Sequence, residues 1–242
     1  MNHSQPNRAA ALHRLAEADA ALASIHRAGE SVVIGGTALA LFDFDLRGQD
    51  VRPTEDIDVI VPGSPRDRDR VIDHLARLEI KPKLGDRPGR VRLPSDVPLD
   101  LIPSQAGHHA GLAWFADAVA SARRIPGLSM GVVSPTIFVA LKLVALSDPD
   151  RGLSRIGPFN PGYQHGSSDL EDVVVVLDGL ESVRAEIQHA DSAVARYARF
   201  ELAHRLRDRK DGVELVQGCL PGDDASQRRA LKLWAWLLAL PA

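Results

Sequence analysis

The sequence predicts an α+β protein whose C-terminal part is mostly helical. Short β-branched runs punctuated by glycine and proline occur up to about residue 133, and alanine- and leucine-rich stretches with helical spacing dominate beyond it. The 242 residues, 45% hydrophobic and 25% charged, suffice for a substantial core in one large domain or two modest ones. The expected division is residues 1–133, carrying the α+β part, and residues 134–242, carrying the helices. A formal charge of −3 excludes a protein that coats nucleic acid by bulk electrostatics, while leaving room for a local basic patch. Cys219 is the one cysteine, so neither an internal disulfide nor a structural zinc site is expected, and a reducing compartment fits. The polar opening residues lack the apolar core of a secretory signal. The apolar stretches 132–146 and 231–240 fall short of the roughly 20 residues that span a bilayer. A cytoplasmic protein without membrane attachment is therefore the expectation.

In chain order, residues 9–27 read as a first helix with Leu12, Leu15, Ala16, Leu22 and Ala23 near helical spacing and Asp19 interrupting that face. Residues 31–34 read as a strand, Gly35-Gly36 as a turn, and 37–46 as a helix, followed by a polar loop over 47–53. Residues 56–61, Asp-Ile-Asp-Val-Ile-Val, form a strand closed by Pro62, Gly63 and Pro65. A helix over 66–78 presents Val71, Leu75 and Leu78 on one face, and 91–93 with 99–102 read as a hairpin. Residues 112–123 can be helical and 128–133 extended. Pro135 stands where the first turn of a helix running to about residue 146 accepts it. A Pro/Gly-rich loop over 148–168 then leads to helices over 169–180, 181–210 and 224–240.

The chemistry concentrates in the first part. Side chains two apart on a strand share a face, so Asp56 and Asp58 place their carboxylates a few ångström from each other, and two like charges so close call for a cation. Hard oxygen ligands with room for water suit magnesium bound together with nucleotide phosphates. Asp100, flanked by Leu99, Leu101 and Ile102, would come from a neighbouring strand and complete a two-metal arrangement, with Asp96 as the alternative. Gly35 and Gly36 allow the backbone close to a phosphate, and Thr37 can add a hydroxyl hydrogen bond.

These segments carry a resemblance. The runs 35–41, Gly-Gly-Thr-Ala-Leu-Ala-Leu, and 52–59, Arg-Pro-Thr-Glu-Asp-Ile-Asp-Val, resemble the first motif of the nucleotidyltransferase superfamily of the DNA polymerase β type, and within it the AbiEii-like toxin branch. Residues 141–146 and 168–174 are similar to that branch's later Lys-Leu-x-Ala and Asp-x-x-Asp motifs. The resemblance implies a mixed β-sheet flanked by helices, with Asp56, Asp58 and Asp100 as ligands of two magnesium (or manganese) ions. It places Gly35, Gly36, Thr37, Arg52, Thr54 and Lys142 on a nucleoside triphosphate, and has Lys142 and Asp169 join the catalytic residues from the helical part. Asp169 would hold Lys142 or orient the acceptor hydroxyl. Ser168 stands where the branch usually has a basic residue, which bears on the acceptor side of the site.

The resemblance implies transfer of a nucleoside monophosphate from a triphosphate to a hydroxyl, with release of pyrophosphate. The acceptor would be RNA, at a tRNA 3′ end, and the enzyme would be a toxin paired with an antitoxin protein. A small-molecule adenylyltransferase of the aminoglycoside or lincosamide kind is the alternative, kept open by the acidic pair Glu171 and Asp172. A protein hydroxyl as acceptor and an inactive binding module on the same scaffold are further alternatives. Two basic groups, within 66–92 and at Arg196, Arg199, Arg205, Arg207, Arg209 and Lys210, could meet RNA phosphates, although a solvated face explains them more simply. His108-His109 reads as loop, and Trp234 and Trp236 as core packing.

Overall fold

The structure is a computed structural model that describes residues 5–26, 29–44, 54–105, 114–147 and 168–241. Arg52, His108, His109 and the expected loop over 148–167 lie outside the described residues. The chain divides into two compact units, Met1–Asp43 with Asp50–Ser134, and Phe44–Gln49 with Pro135–Ala242. Among the described residues no helix is long and apolar enough to cross a membrane.

The first unit is built on a six-stranded mixed sheet. Its strands are β1 (Val32–Ile34), β2 (Ile57–Val61), β3 (Arg90–Arg92), β4 (Pro98–Pro103), β5 (Arg123–Arg124) and β6 (Gly131–Val132), in the order β3-β4-β2-β1-β6-β5. β2 runs antiparallel to β1 and parallel to β4, while β3–β4 and β5–β6 are antiparallel and β1–β6 parallel. Val32 and Val33 on β1, and Ile57, Val59, Ile60 and Val61 on β2, are fully buried. That is why Val32–Ile34 and residues 59–61 read as apolar runs with no alternation, Asp58 alone interrupting β2.

Helix α1 (Gln5–Leu22) buries Ala11, Leu15, Ala18 and Leu22, a stripe of spacing four, three and four. This stripe differs from the expected one because Asp19 does not break the face. Its carboxylate accepts from the Ser129 amide at 3.0 Å, the Ser129 hydroxyl at 2.6 Å and the Met130 amide at 2.9 Å, clamping α1 to the chain entering β6. Helix α2 (Gly35–Leu39) takes the glycine pair into its own first turn and ends earlier than the residue-46 boundary expected. Helix α3 (Pro65–Arg77) begins with Pro65 at its first position and a capping box in which Ser64 and Asp67 satisfy each other's backbone amides. It buries Val71 and Leu75, but Leu78, expected on the same face, is 47% exposed because the helix has ended. A short α4 (Phe115–Ala120) completes the unit.

The second unit is helical: α5 (Pro135–Ala145), α6 (Ser168–Gly179), α7 (Glu181–His189), α8 (Ala193–Leu202), a π-helical turn (Ala203–Arg207), α9 (Gly212–Gly218) and α10 (Asp224–Leu238). The single helix expected over 181–210 is interrupted at residues 190–192, where Ser192 caps a new helix by accepting from the Ala195 amide. α9 was not expected, since glycine stands at both of its ends. Trp236 donates its indole N–H to Gln188 and Trp234 packs against Gly212, so both tryptophans, expected in the core, are half-buried contacts between helices.

Candidate active site

The pairing of β1, β2 and β4 decides what Asp58 touches. Ile34 is its partner on β1, immediately before Gly35, and Asp100 is its partner on β4. Asp56 precedes β2 by one residue. One oxygen from each of Asp56, Asp58 and Asp100 lies within 4.8 Å of the others, so the three carboxylates expected from the sequence converge. Asp96, the alternative to Asp100, sits instead in the β3–β4 turn, ion-paired with Lys83.

Gly35 and Gly36 have distinct reasons to be glycine. Gly35 has φ +65°, and a Cβ there would stand 2.2 Å from Asp58 Oδ2, a separation no real side chain tolerates. At Gly36 a Cβ would press on the Thr54 side chain at 3.0 Å. The backbone thus lies directly against Asp58 and Thr54.

Thr37 and Thr54 both turn to Asp56. Thr37 is buried, and its hydroxyl, expected on the triphosphate, donates to the Asp56 carbonyl at 3.0 Å. The Thr54 hydroxyl donates to Asp56 Oδ1 at 3.1 Å, with the Asp56 carbonyl as a second acceptor at 3.3 Å. Both threonines fix Asp56 in place, and Arg14 holds the Thr54 carbonyl in turn.

Two residues that the sequence reading passed over as candidates complete the cluster. Arg90 lies opposite Asp100 in the β3–β4 register and reaches Asp100 at 2.6 and 2.7 Å and Asp56 at 3.0 Å. Arg87, from the turn before β3, also forks onto Asp100 and stands 3.7 Å from Asp58. Burial pushes the Asp100 pKa up, yet the hydrogen bonds from Arg90 and Arg87 outweigh it and hold this carboxyl below its ordinary range. The same bonds raise the pKa of both arginines. Arg90 adjoins the strand expected over 91–93, but its place across from Asp100 depends on the hairpin register, which the sequence leaves open. Arg87 left no such signal, because a turn has no register.

In the second unit Lys142 of α5 meets Asp169 at 2.8 Å and Asp172 at 2.6 Å, three residues apart on α6, with the Phe138 ring 5.6 Å beneath its ammonium. Burial disfavours the ammonium, but Asp172 and Asp169 overcome it and the pKa stands above its ordinary value. Asp169 therefore holds Lys142, one of the two roles expected of it. Asp172 is turned inward onto the same lysine, so the acidic pair with Glu171 is not an open anionic surface. The two basic groups are largely matched by neighbours: Arg92 by Asp86, Arg70 by Asp67, Arg196 by Asp191 and Arg209 by Asp211. Arg199 donates to the last carbonyls of α7. Burial pushes the Cys219 thiol up to about 12, away from thiolate chemistry.

A strand-borne Asp-x-Asp, a third carboxylate on a parallel strand and a glycine against the second aspartate can together hold hard cations that in turn bind a polyphosphate. Comparison with known proteins bears on this arrangement. No curated protein matches the chain. Among solved structures it is similar to an antigenic nucleotidyltransferase-like protein from Paracoccidioides brasiliensis, at 17% identity and a TM-score of 0.43, over 90% of this chain and 93% of that one. The family model described as nucleotidyl transferase AbiEii toxin, type IV toxin–antitoxin system, matches residues 21–233 and so takes in both units. The chain belongs to the AbiEii nucleotidyltransferase toxin family.

Proposed function

We propose that this nucleotidyltransferase moves a nucleoside monophosphate from a triphosphate to a hydroxyl of RNA, at a tRNA 3′ end, and releases pyrophosphate. It would do so in the cytoplasm as the toxin of a pair whose second member is an antitoxin protein. The observation that carries the catalytic part is the convergence of Asp56, Asp58 and Asp100 on oxygens within 4.8 Å, with Gly35 pressed against Asp58. The donor set consists of carboxylates alone, which fits magnesium or manganese and not a softer metal. When bound, such ions supply charge neutralisation on the polyphosphate and a lowered pKa for the attacking hydroxyl.

The remaining work falls to the chain. Thr37 and Thr54 fix the Asp56 backbone and carboxylate, Arg90 ties Asp56 to Asp100, and the β2–β4 pairing sets Asp58 beside Asp100. Gly35 and Gly36, lacking Cβ atoms, let the backbone lie directly against Asp58 and Thr54. The convergence of all three carboxylates supports a working site over an inactive scaffold. The inward turn of Asp172 onto Lys142 leaves less of the acidic pair to favour a cationic small-molecule acceptor. RNA as acceptor is supported by the family alone.

The test is incubation of the purified protein with each labelled nucleoside triphosphate, magnesium or manganese, and total RNA, beside a folded Asp58→Asn control. Label on a tRNA-sized band that the control loses is the expected result. Label on a small molecule or on the protein itself overturns the RNA acceptor, and equal labelling by the control overturns the site.

A further inference from the structure

A carboxylate offers about four lone-pair positions, two on each oxygen. At Asp100 arginine takes all of them. Oδ1 accepts from Arg90 Nε at 2.7 Å and Arg87 Nε at 3.3 Å, and Oδ2 accepts from Arg90 Nη2 at 2.6 Å and from Arg87 Nη2. With both guanidinium forks in place Asp100 has no position left for a cation. The two arginines also cancel most of the charge of the three carboxylates, which weakens the attraction on which a divalent ion relies.

The two forks are not equivalent. Arg90 is fixed by strand register, its side chain is 20% exposed, and it bridges Asp100 to Asp56. Its departure would break a hairpin contact and strand charge in a half-buried place. Arg87 stands in a turn, its side chain is 54% exposed, and beside its close contact to Asp100 Oδ2 it reaches Asp100 Oδ1 at 3.3 Å and Asp58 at 3.7 Å. It can turn to water more readily than Arg90, because more than half of its side chain is already solvated.

We propose that Arg87 is an exchangeable counter-ion of the acidic cluster: it holds Asp100 and leans toward Asp58 when the cluster carries no divalent ion, and it releases Asp100 when an ion binds, while Arg90 stays. The residue thereby sets the affinity of the site for its ion. This rests on the divalent-ion reading given above, so the test separates the two.

Manganese is titrated, without nucleotide, into wild-type protein and into the Arg87→Met, Arg87→Lys and Asp58→Asn variants. Free ion is read by electron paramagnetic resonance, and circular dichroism shows that each variant is folded. Removing a competing ion pair of the half-exposed kind makes Arg87→Met bind about three- to fivefold tighter than wild type. Arg87→Lys falls between them, because an ammonium cannot form the fork. Equal or weaker binding by Arg87→Met, with wild type binding and Asp58→Asn not, overturns the exchange and leaves the ion site standing. If neither wild type nor Arg87→Met binds manganese, the ion site falls and the exchange falls with it. Should Arg87→Met fail to fold, Arg87→Lys decides: tighter binding than wild type supports the exchange, and equal or weaker binding overturns it.

Discussion

Replacing Gly35 by alanine tests whether the glycine pair exists for the site or only for the turn. The backbone at Gly35 has φ +65°, a region that costs an L-residue about 1 kcal/mol. The added Cβ would also stand 2.2 Å from Asp58 Oδ2 and 3.1 Å from its Cγ, well inside ordinary contact. Asp58 must leave its rotamer to relieve this, at about 0.5–1.5 kcal/mol, so the total falls near 2 kcal/mol. Gly127 supplies the control, since it has φ +84° with nothing within 4 Å of a Cβ, and alanine there meets the conformational cost alone. Urea unfolding should therefore place Gly35→Ala about 1 kcal/mol below Gly127→Ala. Transfer of labelled nucleotide should separate them far more. Displacing a reacting group by about 1 Å costs on the order of 100-fold, whereas Gly127→Ala should keep wild-type activity. A Gly35→Ala protein as stable as Gly127→Ala and active within threefold of wild type would refute the reasoning.

Lys142→Met strands Asp169 and Asp172 without their cation, and urea unfolding at pH 7 should show a loss of about 3–5 kcal/mol. Because the folded pKa of Lys142 is raised, its contribution is complete below the unfolded value near 10.4 and is lost only as pH rises through the folded value. The gap between wild type and variant should therefore be flat between about pH 7 and 9 and close above about 10.4; a gap that shrinks within that neutral range shows that the lysine is not charged there. Asp19→Ala removes the acceptor of two amides and a hydroxyl, and should cost about 2 kcal/mol in thermal or urea unfolding; a loss below about 0.5 kcal/mol would mean that α1 is held by its apolar stripe alone. Asp58→Asn and Asp100→Asn should separate function from stability. The first removes a like charge from the cluster and should stay within about 1 kcal/mol of wild type while abolishing transfer. The second leaves two guanidiniums without their shared acceptor and should cost about 3 kcal/mol. Equal losses from both would show that the carboxylates play one role.

What could be read from the sequence depended on whether a local period carried the information. Asp56 and Asp58 were legible because strand alternation fixes their common side, and Asp100 because an acid inside Leu-Asp-Leu-Ile must face something polar. Gly35 was legible as a glycine, but its contact with Asp58 was not, since that depends on the β1–β2 register. Sequence shows the Thr37 hydroxyl as a donor without showing its nearest acceptor, which in the fold is the Asp56 carbonyl, and the Thr54 hydroxyl beside it meets the Asp56 carboxylate. The break before α8 was marked by Ser192, a capping residue inside an otherwise continuous helical pattern. The π-helical turn that follows has no periodic signature at all.

The sheet order explains why the acidic cluster can exist in a folded chain. Asp58 sits between Ile34 on an antiparallel neighbour and Asp100 on a parallel one, so a carboxylate pair is set side by side at adjacent strand positions. Like charges so placed repel, and burial of Asp100 adds to the cost. The chain offsets this from the next strand outward, where the β3–β4 hairpin sets Arg90 directly across from Asp100, and Arg87 follows from the turn that leads into it. The hairpin is thus part of the site as much as β2 is, because it carries the positive charge that lets three carboxylates converge before any ion arrives. A one-residue slip of β3 would turn Arg90 to the other side of the sheet and bring Val91 or Gly89 opposite Asp100, leaving the acids without their fixed counter-charge. The register of an edge hairpin, and not the acidic motif alone, therefore decides whether this chain can keep the cluster assembled.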